Sequence, residues 1–142
     1  MAVLLSMALA PGLSATDYTT VDDGVIVRTA DGNVRLKVIN DKIIRVSATP
    51  DADFPAGSSL VVVPIAGNPK YSVSEKAGNV HVTTAEVKAV VSGKTGGVTF
   101  FDNRGKKILQ ERRQGRKFSP ITVEGTKGYT VQQTFESIDD NE

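Results

Sequence analysis

Reversals of the kind that close β-hairpins punctuate the chain from residue 24 onward, and the segments between them alternate apolar and polar residues with a period of two. That pattern constrains the fold more than any other feature. Asp31-Gly32 supplies the positive backbone angles of a tight turn between residues 24–30 and 33–39, and Val34, Leu36 and Val38 then share one face. Asn40-Asp41 makes the next reversal. Residues 43–48 return with Ile44 and Val46 inward, and Thr49-Pro50-Asp51 ends that strand, so three strands form a meander. Residues 71–75, 80–84 and 86–91 repeat the grammar, joined by Ala77-Gly78-Asn79 and a weaker break near Thr84-Ala85. Gly93-Lys94-Thr95-Gly96-Gly97 leads into residues 98–101, and Asp102-Asn103-Arg104-Gly105 leads into residues 107–110. Between the two groups, Leu60-Val61-Val62-Val63 is apolar on both faces and stopped by Pro64, which predicts a buried strand or an edge. Turns at intervals of roughly ten residues, with no sustained helical period, predict an all-β fold, an antiparallel β-sandwich.

A chain of 142 residues is one domain, long enough to bury roughly two-thirds of the surface it exposes when unfolded. Seventeen Lys plus Arg against sixteen Asp plus Glu leave a net charge of +1, so no global field draws it to nucleic acid or an acidic membrane. Without cysteine there are no disulfides or thiolate-ligated metals, and a single histidine excludes a histidine-rich metal site. No cofactor is expected. The first fifteen residues carry no charge, and Ala2-Val3-Leu4-Leu5-Ser6-Met7-Ala8-Leu9-Ala10 has the length of a signal peptide's apolar core, too short for a membrane span. Ala8-Leu9-Ala10 has the small-x-small form of a cleavage site, although Pro11 after it is unfavourable and Ala15 is a second candidate. The basic start is missing, since the first basic residue is Arg28. Residues 1–15 are therefore expected to be a signal-peptide remnant of an exported, periplasmic or secreted protein, and residues 16–142 the β-sandwich. The alternative for the leading segment is an apolar first strand or a cloning remnant, and Pro11-Gly12 counts against one continuous strand.

Several local patterns invite sharper readings. Gly93-Lys94-Thr95 has the ending of a phosphate-binding loop, but the earlier glycine of that motif falls on Lys88 and no helix follows, so a hairpin turn is expected. His81, between Val80 and Val82, points away from their face and has no second histidine to work with. Lys106, Lys107, Arg112, Arg113, Arg116 and Lys117 form a basic cluster relieved by Glu111, with Phe118 the nearest ring. Nucleic-acid grooves interleave several rings with the cations, so a solvated loop is expected here, or a charged contact with another domain of the same polypeptide. The pairs Asp22-Asp23 and Asp139-Asp140 are adjacent on extended chain and point opposite ways, so neither can face across a glycosidic bond. No catalytic, cofactor or metal residue emerges, and substrate-binding residues stay unassigned.

The last strand, Tyr129-Thr130-Val131-Gln132-Gln133-Thr134-Phe135, has an apolar edge (Tyr129, Val131, Phe135) that should lie on a core. It runs into Asp139-Asp140-Asn141-Glu142, an acidic turn that should hand the chain to a further strand. The sandwich is therefore expected to be incomplete at its C-terminal end, with exposed sheet edges.

The succession Val34-Arg35-Leu36-Lys37-Val38 with Ile44-Arg45-Val46, then Gly97-Val98-Thr99-Phe100-Phe101-Asp102-Asn103-Arg104-Gly105, then Thr134-Phe135-Glu136 with Asp139-Asp140-Asn141-Glu142, resembles the N-terminal domain of glycoside hydrolase family 31. The likeness is greatest to the bacterial α-xylosidase and α-glucosidase branch and spans residues 20–142. It implies a galactose-mutarotase-like β-sandwich ahead of a catalytic (β/α)8 barrel. In the family a Tyr-Gly-Leu-Gly segment follows the acidic turn, and the catalytic aspartates lie in the barrel, so no residue here inherits a catalytic role. What the resemblance implies is a non-catalytic domain that supports the barrel of the same polypeptide and frames a site for oligosaccharide. The alternative is an independent carbohydrate-binding module, which would need Tyr18, Phe54, Tyr71 or Phe118 on one exposed face. A sugar epimerase needs more than one histidine in its cleft.

Overall fold

The computed structural model describes residues 15–56 and 69–138. They form ten strands: β1 (Tyr18–Val21), β2 (Gly24–Thr29), β3 (Gly32–Asn40), β4 (Ile43–Thr49), β5 (Ser72–Lys76), β6 (Asn79–Thr83), β7 (Val87–Ser92), β8 (Val98–Asp102), β9 (Lys107–Val123) and β10 (Thr126–Glu136). One sheet has the order β1-β2-β3-β4, the other β10-β9-β8-β7-β6-β5, and every pairing is antiparallel between strands adjacent in sequence. The chain is thus two meanders packed face to face, the expected all-β sandwich.

The turns follow the sequence signals closely. Thr29 pairs with Gly32, so Ala30-Asp31 forms the β2–β3 loop, one residue earlier than Asp31-Gly32. Gly32 has φ +119°, and a Cβ there would come within 2.5 Å of the Thr49 carbonyl oxygen, so the position accepts only glycine. Ala77 and Gly78 both take positive φ between β5 and β6. The Asp102 carboxylate accepts the Arg104 and Lys106 N–H groups at 2.9 and 2.8 Å, closing the β8–β9 turn.

Period-two alternation places the core. Val25 and Val27 on β2, Val34, Leu36 and Val38 on β3, and Ile44 on β4 meet Val80, Val82, Ala89, Val91 and Val98 of the second sheet. β2 lies over β6 and β4 over β7. Hydrogen bonds also tie the sheets at their margins; the Thr84 hydroxyl donates to the Asp41 carbonyl at 2.6 Å, and the Tyr71 hydroxyl to the Val21 carbonyl at 3.1 Å.

The structure departs from the sequence expectations in three places. The first meander has four strands, because Tyr18-Thr19-Thr20-Val21 pairs with β2. The basic run is strand and bulge where a solvated loop was expected, since β9 continues to Val123 and pairs with β10 along its length. The last strand forms as expected, but its apolar edge is not on the core: Tyr129, Val131 and Phe135 are 42%, 58% and 45% exposed. Among the described residues four strands of the first sheet lie against six of the second, and the β9–β10 end extends beyond them. The strand expected at residues 60–63 and the acidic turn at 139–142 lie outside the described residues.

Leu36→Ala should destabilise the chain by about 3 kcal/mol, because it empties the most enclosed part of the core. Val123→Ala, at an exposed hairpin position, should cost less than about 0.5 kcal/mol. Urea unfolding of the two variants checks both values.

Candidate functional site

Where the second sheet runs past the first, a cleft of about 600 Å3 opens between β4 and the β8–β10 end. Its walls are apolar side chains of β4 (Ile43, Ile44, Val46), β8 (Phe100), β9 (Leu109, Phe118) and β10 (Val131, Phe135), with Glu111 and Arg116 also lining it.

The charged pair is built by a break in register. Gln133 pairs with Arg116 but Phe135 pairs with Glu111, so residues 112–115 loop out of β9 opposite Thr134 alone. Gln114 takes φ +54° within this bulge. At Gly115 a Cβ would stand 2.7 Å from the carbonyl oxygens of both Arg112 and Thr134, so the bulge closes only around glycine. The detour folds Arg116 back onto Glu111, and its Nη2 donates to both carboxylate oxygens at 2.5 Å. The Val98 N–H donates to Glu111 Oε2 at 2.8 Å, and Gln133 Nε2 donates to Oε1. Glu111 is 7% exposed, and each of its oxygens accepts two hydrogen bonds.

That count decides its chemistry. A carboxylate whose lone pairs are all engaged has none left to offer a substrate, and among the described residues Glu111 is the one carboxylate lining the cleft. General acid and base work needs a carboxyl free to exchange its proton, and glycosidase chemistry needs two that face each other. Glu111 and Arg116 therefore form a clamp joining β8, β9 and β10. In the sequence Glu111 stood out only as the lone acid in a basic run, and the bulge that pairs it has no local signature beyond Gly115.

The other residues singled out from the sequence are scattered. Gly93-Lys94-Thr95 forms the β7–β8 turn, closed by the Gly96 N–H on the Ser92 carbonyl at 2.8 Å. His81 sits on the face of β6 opposite Val80 and Val82, where partial burial and the charges of Lys88 and Lys76 lower its pKa. Asp22 and Asp23 diverge at the β1–β2 turn. The Asp22 carbonyl accepts the Tyr71 hydroxyl at 3.3 Å, whereas the Asp23 carboxylate accepts Arg35 at 2.9 Å and Lys37 at 2.8 Å. Burial alone would raise the Asp23 pKa, but the hydrogen bonds from Lys37 and Arg35 and their charges outweigh it and lower it. Arg112, Arg113 and Lys117 stay exposed while Arg116 is drawn inward, so the basic cluster is divided. Of the rings singled out, Tyr18 and Tyr71 pack on the core, and Phe118 meets Tyr129 edge to face at 6.2 Å. Among the described residues no group of three or more His, Asp or Glu side chains could hold a metal ion. The described residues contain no helix long and apolar enough to cross a membrane.

No family model matches the chain. Among solved structures it is similar to the GH31 α-xylosidase from Xanthomonas citri, with a TM-score of 0.79 and 41% identity over 85% of this chain. It is also similar to a GH31 α-xylosidase from a soil metagenome, solved with xylose, at a TM-score of 0.73 over 87% of this chain, where 20% identity speaks for the fold alone. The chain spans only 14% and 21% of those two proteins. The family 31 resemblance carried by the sequence motifs is thus met again in the coordinates, and the partial coverage is what a piece of a GH31 enzyme gives.

Glu111→Ala should destabilise the chain by about 3–5 kcal/mol, because it strands the Arg116 guanidinium in a nearly dry site, and Glu111→Leu with Arg116→Met should recover most of that loss in urea unfolding. Asp23→Asn should cost about 1 kcal/mol at neutral pH. Because the folded-state pKa of Asp23 lies below its unfolded value, its contribution is complete above the ordinary carboxylate range and disappears as pH falls through the folded value. Melts of the two proteins across acid pH should therefore converge at the low end.

Proposed function

We propose that this chain is the N-terminal β-sandwich of a family 31 α-glycosidase, of α-xylosidase or α-glucosidase type, whose complete polypeptide hydrolyses terminal α-glycosidic bonds of oligosaccharides. In this reading the chemistry belongs to a (β/α)8 barrel of the same polypeptide, and the sandwich supports that barrel and frames its carbohydrate site. Residues 1–15 are the remnant of a signal peptide, and residues 16–142 are the sandwich of an exported protein. The observation that carries the reading is the 41% identity over 85% of this chain, set against 14% of the α-xylosidase it matches. The engaged carboxylate of Glu111 supports the non-catalytic part of the reading, since the described residues of the cleft offer no second carboxyl to face it across a glycosidic bond.

The purified 142-residue chain should release no nitrophenol from an aryl α-xyloside or aryl α-glucoside, while the complete polypeptide should hydrolyse at least one of them. Turnover by the chain alone would overturn the non-catalytic assignment. A complete polypeptide inactive on both substrates would overturn the α-glycosidase assignment.

A further inference from the structure

We propose that the outer face of β3 and β4 is a contact surface for an acidic patch on another domain of the same polypeptide, with a carboxylate of that domain seated between Lys37 and Arg45. This rests on the reading of the chain as one piece of a larger GH31 polypeptide. The segments 34–38 and 44–46 carry part of the family resemblance, and the core uses only some of their residues. Val34, Leu36, Val38, Ile44 and Val46 point inward, whereas Arg35, Lys37 and Arg45 stand on the opposite face of the sheet, away from the cleft. The charges on that outer face do not balance. Among the described residues Asp23 is the one carboxylate that meets these cations, at 2.9 Å from Arg35 and 2.8 Å from Lys37. Lys37 pairs directly with Arg45 in the antiparallel register, so like charges face each other from Cβ atoms about 5 Å apart, which destabilises the pairing unless an anion lies between them.

No carboxylate of the described residues pairs with the exposed Arg45, and Arg35 Nε is buried without a partner among them. Residues 1–14 and 57–68 lie outside the described residues but contain no Asp or Glu, which leaves Asp139, Asp140 and Glu142 as the further acids of the chain. The strength of the contact decides its occupant. An ion pair at a half-exposed surface shifts an equilibrium by no more than about fivefold, too little to retain a free anion from solution. A carboxylate on a domain joined through the chain acts at an effective concentration that makes so small a preference sufficient. The polypeptide has chain to offer, since the two α-xylosidases extend far beyond the segment matched here. Half-buried Ile26, beside Arg35 in the register, gives the contact an apolar centre. Once the surface closes, the ion pair is out of water, and removing one of its charges costs far more than it does on the open face.

The readout is the rate at which an amine-reactive ester acylates Lys37, followed by mass spectrometry. The Lys37 side chain is 42% exposed, so it should react freely in the 142-residue chain. In the complete polypeptide it should react about tenfold more slowly. Arg45→Gln should bring the complete polypeptide to within about twofold of the rate in the chain alone, and should leave the 142-residue chain unchanged. Lys94→Gln, which removes a cation from the β7–β8 turn, should alter neither rate. Equal Lys37 rates in the two proteins would overturn the proposal, as would protection that survives Arg45→Gln or that Lys94→Gln relieves equally. Protection already present in the 142-residue chain and removed by Asp139→Asn with Asp140→Asn would overturn it in favour of the chain's own acidic end. Protection that grows with the concentration of the 142-residue chain would assign the face to a second copy instead. A complete polypeptide without α-glycosidase activity would remove the functional reading and leave the Lys37 comparison to decide the contact by itself.

Discussion

The contact between the inner face of β3 and the second sheet is the interaction on which the rest of the structure depends. Val34, Leu36 and Val38 alternate inward from one strand and are nearly fully enclosed, and each such side chain contributes roughly 1.5–3 kcal/mol when buried. β3 holds this position because it is flanked on both sides, by β2 in register from Gly24 to Thr29 and by β4 from Ile43 to Thr49. Everything that positions the cleft follows from that stack. Once β4 is seated over β7, the remaining three strands of the larger sheet extend beyond it.

The clamp of Glu111 and Arg116 is the second consequence. At the margin of the core, where the cover thins, the protein uses an ion pair with every carboxylate lone pair engaged in place of packed apolar side chains. Such a pair adds little over an apolar replacement, but losing one member of it is costly, which makes it a device for fixing geometry. It sets the register of β9 against β10 across the bulge at residues 112–115 and so aims the distal half of that hairpin. The distal half then reaches the other sheet's loop, where the Tyr129 hydroxyl donates to Asp51 Oδ1 at 2.9 Å.

Much of this was legible in the sequence, for a physical reason. Hairpin meanders are written locally: Ala77-Gly78-Asn79 and Asp102-Asn103-Arg104-Gly105 close their turns through their own backbone angles and side chains, and Val34, Leu36 and Val38 declare an inner face by spacing alone. The family resemblance was legible as well, in the motifs around β3, β8 and β10. What stayed hidden is non-local. Arg112, Arg113, Arg116 and Lys117 look alike in sequence, and only the bulge decides that Arg116 turns inward. Tyr129, Val131 and Phe135 announce an apolar edge, but alternation does not say whether the described chain contains the partner for it. The strand at Tyr18–Val21 is too short to stand out without its neighbour β2.

The central claim is that stability is concentrated where the two sheets cover each other and fades toward the β9–β10 hairpin. Residue-resolved amide hydrogen exchange on the 142-residue chain tests it most directly. The account predicts the slowest exchange in β2, β3, β6 and β7, and much faster exchange in residues 118–131, whose apolar side chains lack cover. Uniform protection that extends through the distal hairpin would contradict it.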